Sequence, residues 1–310
     1  MTDRAAEMTS DVLRSAESLA AALDAFEGPV LDDATDVRFV GLGSSRFAAL
    51  TVAAALRAAG RRAAVDPASS VPPLLAEERL VAISSSGRTP ETVEAARRAG
   101  RDRMVAVTND PASPLAAVGG TVVALAAGEE QAAVATLTYR ATLAVLALVS
   151  GVATAGDLRP AVEVIDALVA GRDGWLEAAA GALDAAEAID VVVEGGRLGS
   201  AEQAALMLRE APRLRAEARE AGEWAHTAIY TVLPGQRVIL LGPTAYDRDI
   251  AATAAGRGAT VVGIGSSVSQ AAGITLPMAV AVEASPVVRA LVESVAVDLV
   301  AARLWELAKA

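Results

Sequence analysis

Short β-branched runs, each closing on a glycine or serine turn, alternate with alanine-rich stretches of helical spacing along most of the chain. In the first half the runs are Val37-Arg38-Phe39-Val40-Gly41-Leu42, Leu80-Val81-Ala82-Ile83, Met104-Val105-Ala106-Val107 and Val122-Val123-Ala124-Leu125. Such short apolar runs mark strands buried on both faces, and the intervening helices supply the crossovers that a parallel sheet needs. Helices are expected from about Arg46 and from Pro90. The pattern predicts an α/β fold with a doubly wound, flavodoxin-like parallel sheet in three αβα layers, with ligands at the carboxyl ends of the strands.

The second half repeats the plan. Asp190-Val191-Val192-Val193 with Gly195-Gly196-Arg197 echoes the first strand and its turn, and Arg237-Val238-Ile239-Leu240-Leu241 echoes residues 79–83. Residues 101–108 match 256–263, each a charged helix end followed by a valine-rich strand. Two tandem subdomains related by internal duplication are expected. Residues 157–183 have helical spacing broken at Gly171-Arg172-Asp173-Gly174, which places a boundary near residue 160. Residues 1–160 then form one domain, with a leading amphipathic helix expected to be exposed, and 161–310 form the second. Residues 287–309 read as a closing packing helix.

Composition narrows the chemistry. With 310 residues, 53% of them hydrophobic and 21% charged, the chain can bury a large core. A net charge of −11 argues against nucleic acid as a partner, since phosphate backbones need a basic footprint. Cysteine is absent, which removes thiolate catalysis and zinc-thiolate sites and fits a reducing cytoplasm. His226 is the only histidine and Lys309 the only lysine, so one chain cannot build a multi-histidine metal site. No signal core opens the chain, because Asp3, Arg4, Glu7, Asp11, Arg14 and Glu17 interrupt it. No membrane span is expected either: the uncharged residues 258–282 contain three serines, Gln270 and Pro277 and read as strand, loop and strand.

Two loops are suited to an anion. Gly41-Leu42-Gly43-Ser44-Ser45 turns from a strand into a helix, so close backbone approach, helix N–H groups and two hydroxyls converge there. It lacks the third glycine of a dinucleotide fingerprint and the lysine of a P-loop. Ser84-Ser85-Ser86-Gly87-Arg88-Thr89-Pro90 repeats the arrangement with more hydroxyls, a capped helix start and a cation in Arg88. An ordinary serine-capped turn is the plain alternative for the first loop, and a surface loop for the second. The matching turn of the second half, Gly242-Pro243-Thr244-Ala245, has lost the hydroxyl cluster, so one phosphate site per chain is expected. Thr136, before the apolar run that follows Arg140, is placed either to cap a helix or to reach a ligand, and capping is favoured from the residues alone.

Taken in order, these loops, Thr108-Asn109, residues 130–139, Gly196-Arg197, Leu206-Met207-Leu208-Arg209-Glu210 and Gly222-Glu223-Trp224-Ala225-His226 resemble the tandem sugar isomerase (SIS) family. The resemblance covers residue 37 to the C-terminus, and is strongest to the isomerase domain of glucosamine-6-phosphate synthase and to fructosamine-6-phosphate deglycases and amino-sugar-phosphate deaminases. It implies a sugar phosphate held by Gly43, Ser44, Ser45, Ser84, Ser85, Ser86, Gly87, Thr89 and Thr136, with no metal, nicotinamide or other cofactor. It further implies Glu210 as the carboxylate that moves a proton between C1 and C2, and His226 as the ring-opening acid. That histidine comes from the neighbouring subunit, so the resemblance implies a homodimer. From the residues alone, Glu210 beside Arg209 and Arg213 also fits a surface ion pair, and His226 after Trp224 a buried structural residue.

The chain departs from the family pattern at several positions. Met207 stands where the synthase has a lysine, and a thioether carries no charge. Ala135 and Leu137 replace a serine and a lysine, and Thr227-Ala228 replace glycine-proline. Lys309 continues from the closing helix without the loop that would return a lysine over the sugar, and reads as a helix-end cation. The leading expectation is a phosphosugar isomerase or an amino-sugar-phosphate deaminase or deglycase working through an enediol-type intermediate. The competing one is a sugar-phosphate-binding protein without catalysis, and a purely structural dimer comes third.

Overall fold

Parallel strands buried on both faces send alternate side chains to two different helical layers, and this chain does so twice. The computed structural model describes residues 3–28, 31–32, 36–265, 273–276 and 285–308. The expected loop between residues 264 and 273, residues 277–282 and Lys309 lie outside them, apart from Gly265. The first half comprises α1 (Arg4–Leu13), α2 (Ser15–Asp24), β1 (Asp36–Gly41), α3 (Ser44–Ala58), β2 (Ala63–Pro67), β3 (Glu78–Ile83) and α4 (Pro90–Ala99). It continues through β4 (Met104–Thr108), α5 (Pro114–Val118), β5 (Thr121–Ala124) and α6 (Leu137–Val149). Three helices then lead across: α7 (Ala155–Leu158), α8 (Pro160–Ala170) and α9 (Leu176–Leu183). The second half comprises β6 (Ile189–Val193), α10 (Leu198–Glu210), β7 (Ala216–Glu220), α11 (Ala221–Trp224), β8 (Arg237–Leu241), α12 (Asp247–Gly256), β9 (Thr260–Ile264), β10 (Gly273–Leu276) and α13 (Pro286–Leu307).

The strands form two all-parallel sheets, ordered β2-β1-β3-β4-β5 and β10-β9-β8-β6-β7. Read from the other edge, the second is β7-β6-β8-β9-β10, the strand order of the first. Register aligns Phe39 with Val81 and Val81 with Val105, and Val40 with Ala82 and Ala82 with Ala106. Phe39, Val81 and Val105 face a central core shared with α3, α6, α10 and α13, while Val40, Ala82 and Ala106 face α4 and α5. The second sheet does the same: Val191, Ile239 and Val262 join the central core, and Val192, Leu240 and Val261 pack against Ile250, Ala251 and Ala254 of α12.

α13 crosses that shared core and carries two buried acids. Asp298 accepts from Arg140 of α6 at 2.6 Å, and Glu293 pairs with Arg197, which precedes α10. One helix thus forms a buried ion pair with each half, and single-partner loss at such a site leaves an uncompensated charge. α10 packs closely on α3 because position 199 is glycine: a Cβ there would lie 2.1 Å from the Phe47 carbonyl oxygen.

The leading segment differs from its expectation. It is two helices, α1 and α2, and Met8, Val12, Leu19 and Leu23 are buried in the core. Asp11, whose charge marked an exposed face in the sequence, is buried and accepts the Gln131 and Ala132 N–H groups at 2.8 and 3.0 Å. β2 and β7 had no apolar run of their own to reveal them, and each pairs with a single strand at the edge of a sheet, whereas β10 falls in the stretch read as strand, loop and strand. No helix among the described residues is long and apolar enough to cross a membrane.

Candidate functional site

In a sheet of this order, the helices after β1 and β3 leave on opposite faces, and a crevice opens between the carboxyl ends of those two strands. A cavity of about 300 Å³ lies there. Ser44 and Ser45 line it from the start of α3, and Ser84, Ser85, Ser86 and Thr89 from the β3–α4 loop. Leu42 and Ile83 line it at the strand ends, and Ala135, just before α6, joins Thr138, Tyr139 and Thr142 of α6 in a wall. No lining side chain is charged.

The serine loop is held mainly by its backbone, with the Ser86 hydroxyl accepting from the Arg88 N–H at 3.2 Å. The Ser85 carbonyl accepts from the Asn109 N–H at 2.9 Å and from the Thr108 hydroxyl at 3.1 Å. The Gly87 N–H donates to the Ser84 carbonyl at 2.9 Å, and the Gly87 carbonyl accepts from the Leu115 N–H at 3.0 Å. Gly87 has φ +62°, and a Cβ on it would lie 1.9 Å from Ser113 Oγ, so only glycine closes this turn.

Both helices that point at the cavity lack a side-chain cap. The N-cap of α3 is Gly43, and the N-cap of α4 is Thr89, whose hydroxyl lies 3.0 Å from Ser84 Oγ. The expected cap on α4 is therefore absent, because Thr89 is engaged across the loop. Two helix N-termini with unpaired N–H groups and a ring of hydroxyls form a receptor for an anion. Arg88 adds no charge to it: its guanidinium pairs with Asp110 at 2.9 Å on the surface.

Thr136 departs from both of its expected roles. It occupies the N-cap of α6, makes no side-chain cap bond and does not line the cavity. Glu130 takes its place, since its carboxylate accepts the Thr136 and Thr138 N–H groups and the Thr138 hydroxyl. Burial raises the Glu130 pKa, against the pull of those hydrogen bonds. Burial also pushes the Tyr139 hydroxyl above its ordinary value, with Asp298 and Glu293 adding to the effect, so this ring presents a neutral phenol. The wall residues of α6 were discernible in the sequence by their spacing, since positions 138, 139 and 142 share one helix face.

The corresponding crevice of the second sheet is filled. Arg197 is buried there, donates to the carbonyls of Leu241 and Pro243 at 3.1 and 3.4 Å, and pairs with Glu293. Thr244 spends its hydroxyl on Asp247 at 2.7 Å.

Glu210 and His226 stand apart from the cup and do not line it. Glu210 ends α10 with an exposed side chain, yet partial burial of its carboxyl raises its pKa, opposed by Arg209 and Arg213. Arg209 is engaged with the Ala216 carbonyl at 2.7 Å. His226 follows α11 and is exposed, so it is not a buried structural histidine; Trp224 is the buried residue, and its indole donates to Asp190 at 3.0 Å. Met207 is fully buried.

The fold agrees with the comparisons. Residues 31–150 match the SIS domain model. The chain is similar to the isomerizing glutamine–fructose-6-phosphate aminotransferase of Aeropyrum pernix, 32% identical over 208 residues, which cover 60% of this chain and 33% of that protein. The chain spans about a third of the length of that curated relative. Among solved structures, the C-terminal domain of the glucosamine-fructose-6-phosphate aminotransferase of Francisella tularensis superposes with a TM-score of 0.80 at 18% identity, covering 97% of this chain and 96% of that one. The tagatose-6-phosphate ketose/aldose isomerase of Escherichia coli gives 0.77 at 19%, covering 98% and 91%. Glucosamine-6-phosphate deaminase of Thermotoga maritima gives 0.74 at 18%, covering 98% and 94%.

Proposed function

We propose that this chain binds a sugar phosphate in the cup between β1 and β3 and acts on it as an isomerase, or as an amino-sugar-phosphate deaminase or deglycase, through an enediol-type intermediate. The observation that supports this most is the convergence of the six hydroxyl-bearing side chains of the two loops and two uncapped helix N-termini on one uncharged cavity. Such a receptor suits a phosphate monoester, because N–H dipoles and hydroxyls stabilise the anion without a counter-charge. Ser45, Ser84, Ser85, Ser86 and Thr89 hold the phosphate, with Ser44, Gly43 and Gly87 shaping the two turns.

In this reading Glu210 carries the proton between C1 and C2, and its raised pKa suits a base that must also give the proton back. His226 acts as the ring-opening acid in a neighbouring copy, so the working unit is a homodimer in the cytoplasm. Residues 1–160 and 161–310 are the two domains of an ancient duplication, a reading supported by their shared strand order. Solvent-deuterium incorporation at C2 of candidate hexose phosphates tests the chemistry: exchange that disappears in Glu210→Gln is expected, and binding without exchange would overturn it.

A second reading is a sugar-phosphate-binding protein without catalysis. Supporting it are the buried Met207, in a position where the resemblance implies a lysine, and the absence of Glu210 and His226 from the cavity wall. It predicts ligand-dependent thermal stabilisation that is unchanged, within a few-fold in affinity, by Glu210→Gln.

A further inference from the structure

The last turns of α4 border a second cavity, of about 330 Å³, at the opposite end of that helix from the cup. Ala95, Arg98 and Ala99 line it from one face of α4, at i, i+3 and i+4 spacing. Leu80 of β3 and residues 71–74 of the β2–β3 loop line its other sides. The loop stands off from the helix because it is tied in place. Leu75 donates its N–H to the Glu78 carboxylate at 2.8 Å, and its carbonyl accepts from the Arg103 guanidinium. Arg103 also donates to the Glu78 carbonyl at 3.0 and 3.3 Å, and Pro72 and Pro73 fix two successive φ angles. Collapse of the loop onto α4 would break these bonds, so the cleft is built open.

Charge gives the cleft a preference. In a chain of net charge −11, the two charged residues that line it are both cations, Arg98 and Arg103. Arg103 is occupied with the loop. Arg98 is exposed and makes no hydrogen bond or ion pair among the described residues, while the neighbouring Glu94 pairs with Arg97 at 3.8 Å. A helix C-terminus favours any arginine, but that preference does not call for an apolar cleft beside it. An aliphatic body between Leu74, Leu80, Ala95 and Ala99 leaves water, and a carboxylate at its end meets the Arg98 guanidinium. We propose that this cleft is a small-molecule site for an organic monoanion with a short aliphatic body, its carboxylate held by Arg98. The site does not depend on the reading of the cup as a phosphate site.

The test is methyl NMR on the full chain, titrated with octanoate, its neutral counterpart octanamide, and acetate. Octanoate is expected to shift the Val71, Leu74 and Leu80 methyl resonances saturably, and acetate, which lacks the body, to leave them in place. Octanamide is expected to bind about three- to five-fold more weakly than octanoate, the scale of one exposed ion pair. Arg98→Gln is a surface change that is expected to level the two ligands, and Ala99→Phe, which fills the cleft, is expected to abolish the shifts. Melting temperatures of both variants serve as the folding control. The inference would be overturned if octanoate gave no saturable shift, if octanoate and octanamide bound the wild type equally, or if the shifts persisted in a folded Ala99→Phe. Should Ala99→Phe fail to fold, the comparison in Arg98→Gln decides alone: an octanoate preference that survives there overturns the site. Phosphate binding in the cup is measured separately, and its failure would leave this site standing.

Discussion

Ser84 and Thr89 face each other across the β3–α4 loop with their hydroxyl oxygens 3.0 Å apart. Because Thr89 is the N-cap residue of α4, that contact diverts its side chain from the helix and leaves the first N–H groups of α4 without a side-chain acceptor. Replacing Thr89 by valine keeps the shape and removes the hydroxyl. A hydrogen bond to a charged group contributes about 1.5–3 kcal/mol, so phosphate affinity is expected to fall at least ten-fold. Calorimetry on Thr89→Val checks this, and an unchanged affinity would remove Thr89 from the site.

The absence of charged side chains from the cup sets its response to salt. Arg88 is neutralised by Asp110 at the surface, so no mobile cation is screened when ionic strength rises. Hexose phosphate affinity is expected to change less than about two-fold between roughly 50 and 300 mM sodium chloride. A steep loss would mean that a cation reaches the phosphate after all.

Arg197 fills the crevice that would otherwise make a second site, and its buried pair with Glu293 ties α13 to the second half. Arg197→Met removes the guanidinium that pairs with Glu293, leaving only the more distant charge of Arg289 and the Ser200 hydroxyl, and is expected to destabilise the chain by about 3–5 kcal/mol. Adding Glu293→Leu is expected to restore most of that loss, since an apolar pair replaces a desolvated ionic one. Denaturant unfolding of the single and double variants distinguishes this from a simple packing defect, in which the losses would add.

Partial burial raises the pKa of Glu210 above the ordinary 4.5 of a glutamate. A base must be deprotonated to act, so the acid limb of the pH profile of kcat/KM is expected above pH 4.5, with activity falling as pH drops through it. Arg209 and Arg213 oppose the shift, so Arg213→Ala should move the limb further up. A limb at or below the ordinary value, or one that persists in Glu210→Gln, would assign the titration to another group.

Much of this was legible from particular residues. The runs at 80–83 and 104–107 are apolar throughout because both faces of a parallel strand are buried, and they fall within β3 and β4. The serine loops announced the cavity because hydroxyls after an apolar strand have few structural reasons to cluster. The edge strands β2 and β7 were missed for the converse reason: β7 reads Ala-Glu-Ala-Arg-Glu, and a strand paired on one side needs no apolar run. Asp11 was misread as a surface charge because the groups that satisfy it, at positions 131 and 132, are distant in the chain. Thr136 stood in the right place for a cap, and only the fold shows Glu130 reaching back to take that role.

The most direct measurement is a crystal structure of the chain soaked with fructose 6-phosphate. The phosphate is expected among the hydroxyls of Ser45, Ser84, Ser85, Ser86 and Thr89, at the N-termini of α3 and α4, with the sugar extending along the α6 wall. Phosphate density elsewhere on the molecule, with these hydroxyls facing only solvent, would contradict it.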